Sequence, residues 1–441
     1  MDRWTRRRFL LASGVVGAGA LAAGGTVIGI RELAHGAASN PLPAQSAVLV
    51  LVTLYGGNDG LGTVVPAADH AYQDARPDLA YSPEQVLDLG DGLGLNPAMK
   101  GLHGLWGRKQ LAVVRGVGYP TPSHSHFQSM DIWQTASPEA PQSTGWLGRW
   151  LDATGKDPLR AVSLGGVLPP LLAGASTAGS ALPTSAFRLP GGQSLRAFTA
   201  LGTPSAADAG PQAQATTSDR DLLTVAHTFG AVLDSRAKAG AKAGAKAGKA
   251  AGAPSATPST GPVPSGSTPS TPSTPATLTL ATTQYTNPLA SQLDIVAACI
   301  QARVPTRVYS VSLGGFDTHA AERGTQEQLL GEFDKSVTAF LGQVANGPNP
   351  VVLAAYSEFG RRVQANANQG TDHGTAGPVL IAGSPVRGGF YGAQPSLTDL
   401  DAGDLKYSTD FRSVYATLLH QVLDFDPAQV LGQEYPQLAF V

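Results

Sequence analysis

The sequence predicts an α/β protein in which a mainly parallel sheet is sandwiched by helices and interrupted by a disordered internal insertion. Two observations lead to this prediction. Short, unbroken runs of apolar residues rich in β-branched side chains recur along the chain, as in strands that are covered on both faces. Segments with apolar residues at helical spacing lie between those runs, and strands that alternate with helices indicate a mainly parallel sheet.

The composition fits a folded core and excludes three classes of protein. Hydrophobic residues make up 42% of the 441 residues, which excludes a wholly disordered chain. Cys299 is the only cysteine, so a disulfide scaffold is excluded as well. The formal net charge of -2 provides no electrostatic footprint for nucleic acid, and we expect no nucleic-acid partner.

Residues 1–38 have the pattern of an export signal. Arginines at positions 3 and 6–8 precede an uncharged apolar run over residues 9–30, and small residues follow it. The segment TRRRFL at 5–10 resembles a twin-arginine signal, which implies the twin-arginine translocase as a partner and a location in the periplasm, cell wall or medium. The alternative is an uncleaved membrane anchor, because 22 uncharged residues can span about 30 Å of hydrocarbon.

Residues 236–277 are predicted to be a disordered insertion. They consist of Ala-Lys-Ala-Gly and Pro/Ser/Thr repeats without an acidic or aromatic residue, so they cannot bury enough apolar surface to offset their ordering entropy. The segment is either a basic tether for a cell wall or polyanion, or a tolerated surface insertion. Without it and the signal, 20 basic and 30 acidic residues remain, and we predict that 46–235 and 278–441 form two parts of one acidic α/β domain.

The strands and helices of this domain are assigned from the same two patterns. The segment Asn287-Pro288 supplies a helix cap and a first-turn proline, and Thr409-Asp410 supplies a second helix start. The predicted strands are 47–54, 111–114, 307–313, 350–356 and 378–382, and the predicted helices cover 287–300, 329–344 and 409–422.

Polar residues concentrate where these predicted strands end. In open parallel sheets, ligands bind beyond the carboxyl ends of the strands. Four of the nine histidines and several carboxylates fall on this one predicted edge, which indicates an active site there. The segments are GGNDG at 56–60, SHSHF at 123–127, GGFDTH at 314–319, SEFGR at 357–361 and GTDHG at 370–374.

Histidine and aspartate together suggest a metal site. Mixed ligands of these types suit Zn, Mn or Fe, and a pair of such ions can clamp a phosphoryl or sulfuryl oxygen. Asp317 and His319 alternate, so an extended segment directs both side chains toward one ion, whereas the adjacent Asp372 and His373 can bridge two. His126 either binds a metal or caps a helix, and the GGNDG loop is either a ligand loop or an ordinary turn.

Three further residues are candidates for catalysis. Ser125, or Ser123, lies at the mouth of a predicted helix and would supply a nucleophile, although a helix N-cap is the simpler role. Arg361 would hold a small anionic ester with its bidentate fork. Glu358 lies in the same segment and is the third candidate.

On these motifs the chain resembles DUF1501, a family of uncharacterised exported proteins, over roughly residues 46–440. That family is similar to the alkaline-phosphatase/sulfatase superfamily, which implies an alkaline-phosphatase-like sheet and one or two divalent ions (Zn, Mn, Fe or Ca). By position, the resemblance implies that Asp59 is the first acidic ligand, with a middle pair and a late pair behind it. The full set of candidate metal ligands is Asp59, His126, Asp317, His319, Asp372 and His373.

The sequence also departs from the superfamily in two places. Only one residue separates Asp317 from His319, where three are usual, and no Cys-x-Pro-x-Arg signature is present. The second departure argues against a formylglycine sulfatase. We therefore expect an exported metal-dependent hydrolase of phosphate or sulfate esters; the alternatives are a catalytically inactive binding or envelope-assembly protein that keeps the fold, and an envelope scaffold that uses the basic tether.

Overall fold

The computed structural model describes residues 41–155, 157–182 and 288–441, together with the backbone of Thr26–Val27. Apart from Thr26–Val27, the predicted export signal lies outside the described residues, and the predicted insertion at 236–277 lies wholly outside them. Among the helices that the structure describes, none is long and apolar enough to cross a membrane.

The centre of the fold is one large, mainly parallel sheet, which confirms the predicted α/β class. Its strands follow the order β1-β8-β7-β9-β2-β10-β13-β6-β14, and β17 pairs with β6 off this path. Only β13 runs antiparallel to its neighbours, β10 and β6. These strands are β1 Thr26–Val27, β2 Val48–Tyr55, β6 Leu111–Gly118, β7 Ala161–Leu164, β8 Ser180–Leu182, β9 Val308–Gly314, β10 Val351–Tyr356, β13 Gly377–Ala382, β14 Gly389–Tyr391 and β17 Thr409–Asp410.

Short strands form three smaller sheets outside it. A hairpin of β11 and β12 follows β10, with Arg361 paired with His373. A second hairpin joins β15 and β16, and β3, β5 and β4 form a three-stranded sheet. These strands are β3 Val64–Val65, β4 Leu87–Gly90, β5 Leu93–Leu95, β11 Arg361–Ala365, β12 Thr371–His373, β15 Leu400–Asp401 and β16 Asp404–Leu405.

Helices connect the strands and cover the large sheet. The third predicted helix continues past its α-helical part as a π-helical turn at Leu418–Val422, and two 3-10 turns lie at Pro158–Arg160 and Pro170–Leu172. The α-helices are α1 Gly60–Thr63, α2 His70–Ala75, α3 Lys100–Gly107, α4 His126–Thr135, α5 Trp146–Thr154, α6 Pro288–Gln301, α7 Glu322–Val344, α8 Phe411–Thr417 and α9 Ala428–Leu431.

Both faces of β2 are covered, as its unbroken apolar run predicts. Leu49 and Leu51 belong to a core cluster that includes residues of α4, α5 and α8, and Val50 and Val52 alternate to the opposite face. On that opposite side α6 is bound to β9, because Gln292 exchanges two hydrogen bonds with the backbone of Ser312. All seven residues from Val48 to Leu54 are buried, so β2 is an interior strand.

The direction of the strands places their carboxyl ends together. Strands β9 and β10 both run parallel to β2, with Gly314 opposite Tyr55 and Tyr356 opposite Thr53. Because β13 is antiparallel to both β10 and β6, β6 runs in the same direction as the other three. The loops after β2, β6, β9 and β10 therefore meet at one edge of the sheet.

Helix α4 is anchored to this edge by one buried aromatic side chain. The Trp133 ring stacks on Tyr356 of β10 with ring centroids 5.0 Å apart and contacts Phe411 at 4.9 Å. Trp133 is 3% exposed. The packing holds the first residue of α4, His126, beside the end of β10.

Substitution Trp133→Ala is expected to lower the free energy of unfolding by about 3–5 kcal/mol, because it removes a buried ring and leaves a cavity. Urea unfolding of the full chain measures the change. Val167→Ala is the control, since Val167 is 68% exposed and its truncation should cost less than about 0.5 kcal/mol. An equal, small effect of both substitutions would contradict the anchoring role of Trp133.

Candidate metal centre

Three segments at the carboxyl edge of the sheet bring imidazole and carboxylate groups together. His126 begins α4 after β6, Asp317 and His319 follow β9, and His373 ends β12 in the hairpin after β10. His126, Asp317 and His373 form a group whose ligand atoms all lie within 4.8 Å of one another. The structure thus contains a His/Asp/His group of the kind that binds a metal ion.

The distances centre on one carboxylate oxygen. Asp317 Oδ1 lies 3.4 Å from His126 Nε2, 3.0 Å from His319 Nε2 and 3.1 Å from His373 Nε2. The Nε2 atoms of His319 and His373 are themselves 3.0 Å apart. Three imidazole nitrogens therefore surround one carboxylate oxygen, and His319 contacts Asp317 and His373 beside the group of three.

Two of the three rings are oriented by a hydrogen-bond acceptor on the far side, and the third lies near a carboxylate. His126 Nδ1 lies 2.9 Å from Glu358 Oε1, and His373 Nδ1 lies 2.8 Å from the backbone oxygen of His124. His319 Nδ1 lies 3.6 Å from Asp372 Oδ1, which is an ion-pair separation. A ring that gives its Nδ1 proton to such an acceptor presents an unprotonated Nε2 to a metal ion.

The spacing around Asp317 is similar to that of ligands in metal sites. Metal–nitrogen bonds of about 2.0–2.1 Å in tetrahedral geometry separate the donor atoms by about 3.3 Å, and Asp317 Oδ1 lies 3.0–3.4 Å from the three Nε2 atoms. His126 Nε2 is buried and makes no hydrogen bond. Nε2 atoms that have no proton to share repel one another at these distances, and a cation among them removes that repulsion.

The protonation states of these groups follow from their surroundings. Burial works to raise the pKa of Asp317, but its contacts with His373 and Arg361 lower it to about 2. Burial also opposes ionisation of Glu358, but the hydrogen bond from His126 lowers its pKa. The pKa of His126 is raised, mainly by that same bond, whereas burial lowers the pKa of His373. Both carboxylates are therefore ionised at neutral pH and His373 is neutral, which suits ligation, whereas the raised pKa of His126 opposes it.

The centre is open to solvent on one side. The side chains of Asp317 and His319 are 49% and 45% exposed, whereas Glu358 behind His126 is buried. Structural zinc sites are closed, while catalytic sites keep an open position. The exposure of this centre leaves room for a ligand from outside the protein.

Glu358, a predicted catalytic residue, orients a histidine. Its carboxylate accepts hydrogen bonds from the backbone N–H of Gly56, the hydroxyl of Ser357 and the ring of His126. The side chain is 2% exposed, so it is out of reach of a substrate in solution. The observed contacts therefore assign Glu358 to the positioning of His126.

Arg361 differs from its predicted role as a substrate fork. Its guanidinium is fully buried and donates hydrogen bonds only to groups of the protein. One of these groups is the carboxylate of Asp317, at 2.9 Å, so Arg361 fixes a candidate metal ligand. The other acceptors are the backbone oxygens of Gly56, Gly57, Phe316 and Thr371.

Asp59, predicted as the first metal ligand, is engaged elsewhere. Both of its oxygens accept hydrogen bonds from Arg76, at 2.6 and 3.0 Å, and both side chains are almost completely buried. A carboxylate paired in this way is not available to an ion. Asp59 thus supplies the counter-charge that the buried guanidinium of Arg76 needs, and these contacts give no support to its predicted role as a metal ligand.

The glycines of the GGNDG loop serve close packing. A Cβ on Gly56, whose φ is +116°, would lie 2.5 Å from the backbone nitrogen of Asp317. A Cβ on Gly57, whose φ is +72°, would lie 2.2 Å from the ring of Phe359. The loop thus lets Asp317 and Phe359 approach the end of β2. The Phe359 ring in turn contacts the rings of His126 and His373, with centroids 4.8 Å away in each case.

Asp372 and Ser125 lie beside the centre. Asp372 is 60% exposed, accepts a hydrogen bond from Asn366 and faces the outer nitrogen of His319, so it orients a donor and is not among the four converging groups. Ser125 occupies the N-cap position of α4, but its side chain makes no capping hydrogen bond. Its exposed hydroxyl therefore does not cap the helix, which is the simpler role that the sequence suggested.

A buried acid that the sequence did not reveal lies beneath the hairpin. Glu322, the first residue of α7, is 2% exposed and accepts a 2.6 Å hydrogen bond from the hydroxyl of Thr371. Burial, together with the nearby charge of Asp59, raises the pKa of Glu322 to about 8. No apolar pattern marks this position in the sequence, because its burial is stabilised by polar contacts.

Comparison with known proteins identifies the family. The family model described as "Protein of unknown function (DUF1501)" matches residues 46–434, and the chain belongs to this family. Neither the curated proteins nor the solved structures contain a significant match to the chain.

Substitution Asp59→Asn is expected to lower the free energy of unfolding by about 3–5 kcal/mol, because it leaves the buried Arg76 without its counter-charge. The metal content of the folded protein should not change. Urea unfolding and elemental analysis measure the two quantities. Asp74→Asn, an exposed change on helix α2, which ends next to Arg76, is the control. Loss of metal without loss of stability would restore Asp59 as a ligand.

Substitution Glu322→Gln is expected to change how stability depends on pH. Since the folded-state pKa of Glu322 is raised, its neutral form stabilises the fold, and this contribution is complete below about pH 4.5 and is lost as the pH rises toward 8. Glutamine cannot ionise, so the variant should gain stability relative to the wild type across that interval. Urea midpoints from pH 4.5 to 8.5 measure it, and a constant difference would contradict the raised pKa.

Proposed function

We propose that this DUF1501 protein is an exported metal-dependent hydrolase that acts on phosphate or sulfate esters. The observation that supports the proposal most directly is the convergence of three imidazole nitrogens and one carboxylate oxygen at 3.0–3.4 Å. The centre lies at the carboxyl edge of a mainly parallel sheet, where ligands of such sheets bind. Its open side gives a substrate access.

The proposal specifies one ion rather than two. In the part of the chain that the structure describes, one group of histidine and carboxylate side chains has the spacing of a metal site. Asp59 is paired with Arg76. Asp372 faces Nδ1 of His319, whereas Asp317 faces Nε2 of the same ring. The donor set of His126, Asp317, His319 and His373 suits Zn, Mn or Fe, because nitrogen-rich sites disfavour Ca.

A divalent ion at this centre supplies a Lewis acid for the phosphoryl or sulfuryl oxygen of the ester. The protein contributes rigid positioning. Glu358 and the backbone oxygen of His124 orient two rings from behind, and Arg361 holds the carboxylate of Asp317. Because these supports are buried or part-buried, the four donors are held in place before a substrate arrives.

The nucleophile is either Ser125 or a water molecule. Ser125 precedes His126 directly, is exposed and makes no capping hydrogen bond. Its position at the start of α4 is where the resemblance to the alkaline-phosphatase/sulfatase superfamily implies a nucleophile. Ser125→Ala distinguishes the two, since only a serine nucleophile is lost with the hydroxyl.

The alkaline-phosphatase-like fold also belongs to the proposal. It is supported by the parallel sheet and by the candidate ligands after β9 and in β12, but Asp59 and the spacing of Asp317 and His319 depart from that superfamily. The proposed activity therefore rests on the four donors and their supports. Export through the twin-arginine translocase rests on the TRRRFL segment alone.

The full chain, produced with export in a twin-arginine-competent host, is expected to carry about one equivalent of a transition metal. His373→Ala should lower its metal affinity by more than about tenfold, because one of four donors is lost. Elemental analysis and metal titration measure the change. His103→Ala is the control, since its ring contacts the backbone oxygen of Asp88 at a distant helix.

Hydrolysis tests the second half of the proposal. With metal bound, the protein and the His103→Ala control should hydrolyse 4-nitrophenyl phosphate or 4-nitrophenyl sulfate, and His373→Ala should not. Metal binding without hydrolysis of either ester would overturn the enzyme and favour the binding or envelope-assembly protein. Absence of metal from the His103→Ala control would contradict both the hydrolase and the metal-binding protein.

A further inference from the structure

The residue that follows β6, Tyr119, connects the core of the protein with the candidate metal centre. Its ring belongs to the buried cluster on one face of the large sheet and meets Phe411 edge-on, with ring centroids 5.8 Å apart. Only 3% of Tyr119 is exposed. Its hydroxyl oxygen accepts the backbone N–H of Ser123 at 3.2 Å and lies 2.7 Å from Ser129 Oγ. Tyr119 therefore joins the loop after β6 to helix α4.

The hydrogen bonds of this hydroxyl run in one direction. Ser129 Oγ gives its proton to the backbone oxygen of Glu358 at 2.5 Å, so the proton between the two hydroxyls comes from Tyr119. The oxygen of Tyr119 in turn accepts the N–H of Ser123. These three bonds connect the loop after β6, helix α4 and the chain that follows β10, and each proton has a defined acceptor.

The connection continues from Ser123 to the candidate nucleophile. Ser123 Oγ accepts the backbone N–H of Ser125 at 3.2 Å and donates to Gln128 at 3.1 Å. Between these two serines, the backbone oxygen of His124 lies 2.8 Å from His373 Nδ1. His124 and Ser125 are both exposed, so packing contributes little to holding this part of the chain. The position of Ser123 therefore determines where Ser125 and the backbone oxygen of His124 lie.

A second contact holds the same loop from another side. His124 Nε2 lies 2.7 Å from Oδ2 of Asp404, a buried residue of β16. This contact fixes the ring of His124, whereas the bond to Tyr119 fixes the backbone at Ser123. Loss of the Tyr119 hydroxyl is therefore expected to loosen the loop without detaching it.

We propose that the Tyr119 hydroxyl is a positioning group of the candidate metal centre. It sets the place of residues 123–125 relative to Glu358. With them it places the backbone oxygen that orients His373 and the hydroxyl of Ser125. The consequence for metal and ester rests on the proposed function, whereas the position of the loop does not. The alternative is a hydroxyl that only completes the core, whose removal would leave the loop in place.

The test is Tyr119→Phe, which removes the hydroxyl and keeps the ring. The N–H of Ser123 loses its acceptor, so deuterium exchange of the amides at 123–125 in the metal-free full chain should become at least about fivefold faster. The affinity for Co²⁺, titrated by visible absorption, should fall about three- to tenfold, because the support of one candidate ligand weakens. The absorption bands of the Co²⁺-loaded protein should also shift, since they depend on ligand geometry and not on global stability.

Tyr415→Phe is the matched control. Tyr415 is buried in the same core cluster, and its hydroxyl donates at 2.8 Å to the backbone oxygen of Trp133, so both variants lose one buried hydroxyl. In the control, exchange at 123–125 and Co²⁺ affinity should change less than about twofold. Ser129→Ala breaks the same chain of hydrogen bonds at its next hydroxyl. It should change both quantities in the same direction as Tyr119→Phe, and it replaces that variant if that variant does not fold.

Unchanged exchange at 123–125 in Tyr119→Phe would overturn the proposal, as would equal changes in Tyr119→Phe and Tyr415→Phe. Faster exchange with the Co²⁺ affinity and spectrum of the control would also overturn it, because the loop would then not support the centre. If the wild type binds no Co²⁺, the proposed hydrolase is removed. The exchange comparison in metal-free protein then decides the role of Tyr119 by itself.

Discussion

The buried guanidinium of Arg361 is the constraint on which the candidate centre depends. It donates hydrogen bonds to backbone oxygens of the loops after β2 and β9 and of β12, and to the carboxylate of Asp317. A buried cation that loses such acceptors is strongly destabilising, so none of these loops can move away by itself. Gly56 permits the same closeness, because any Cβ there would collide with the backbone of Asp317. The hydrogen bonds of Arg361 and the close packing at Gly56 therefore fix the positions of the candidate metal ligands.

Much of the fold could be predicted from sequence because the interior strands are apolar on both faces. The five predicted strands are all present, four of them within one residue of their predicted ends, while β6 extends four residues past its predicted end at 114. Helix α7 was harder to delimit, since it begins at Glu322 and not at 329. Its first turns bury polar side chains, Glu322 and Gln326, whose hydrogen-bond partners are remote in sequence. Hydrophobic periodicity cannot detect a helix face that is buried through hydrogen bonds.

The residues of the candidate site also differ in how far the sequence predicts their roles. The four converging donors were among those predicted, because strand ends and alternation indicate where side chains point. The roles of Asp59 and Arg361 could not be predicted in the same way. In the sequence, a carboxylate that follows a strand looks the same whether it binds an ion or balances the charge of a buried arginine. Only the fold brings Arg76 to Asp59. An arginine in a motif likewise suggests anion binding until its acceptors are known.

The position of His126 in the chain has a consequence for how the protein matures. His126 is synthesised about 190 residues before Asp317, which at 5–20 residues per second is a delay of roughly 10–40 s on the ribosome. Throughout that time the nascent chain holds a single donor of the centre and has no means of retaining an ion. Strands β9 and β10, which flank β2, are also still missing. A metal ion at this centre would therefore be acquired only after Asp317 and His373 have been synthesised, from the compartment in which the chain folds.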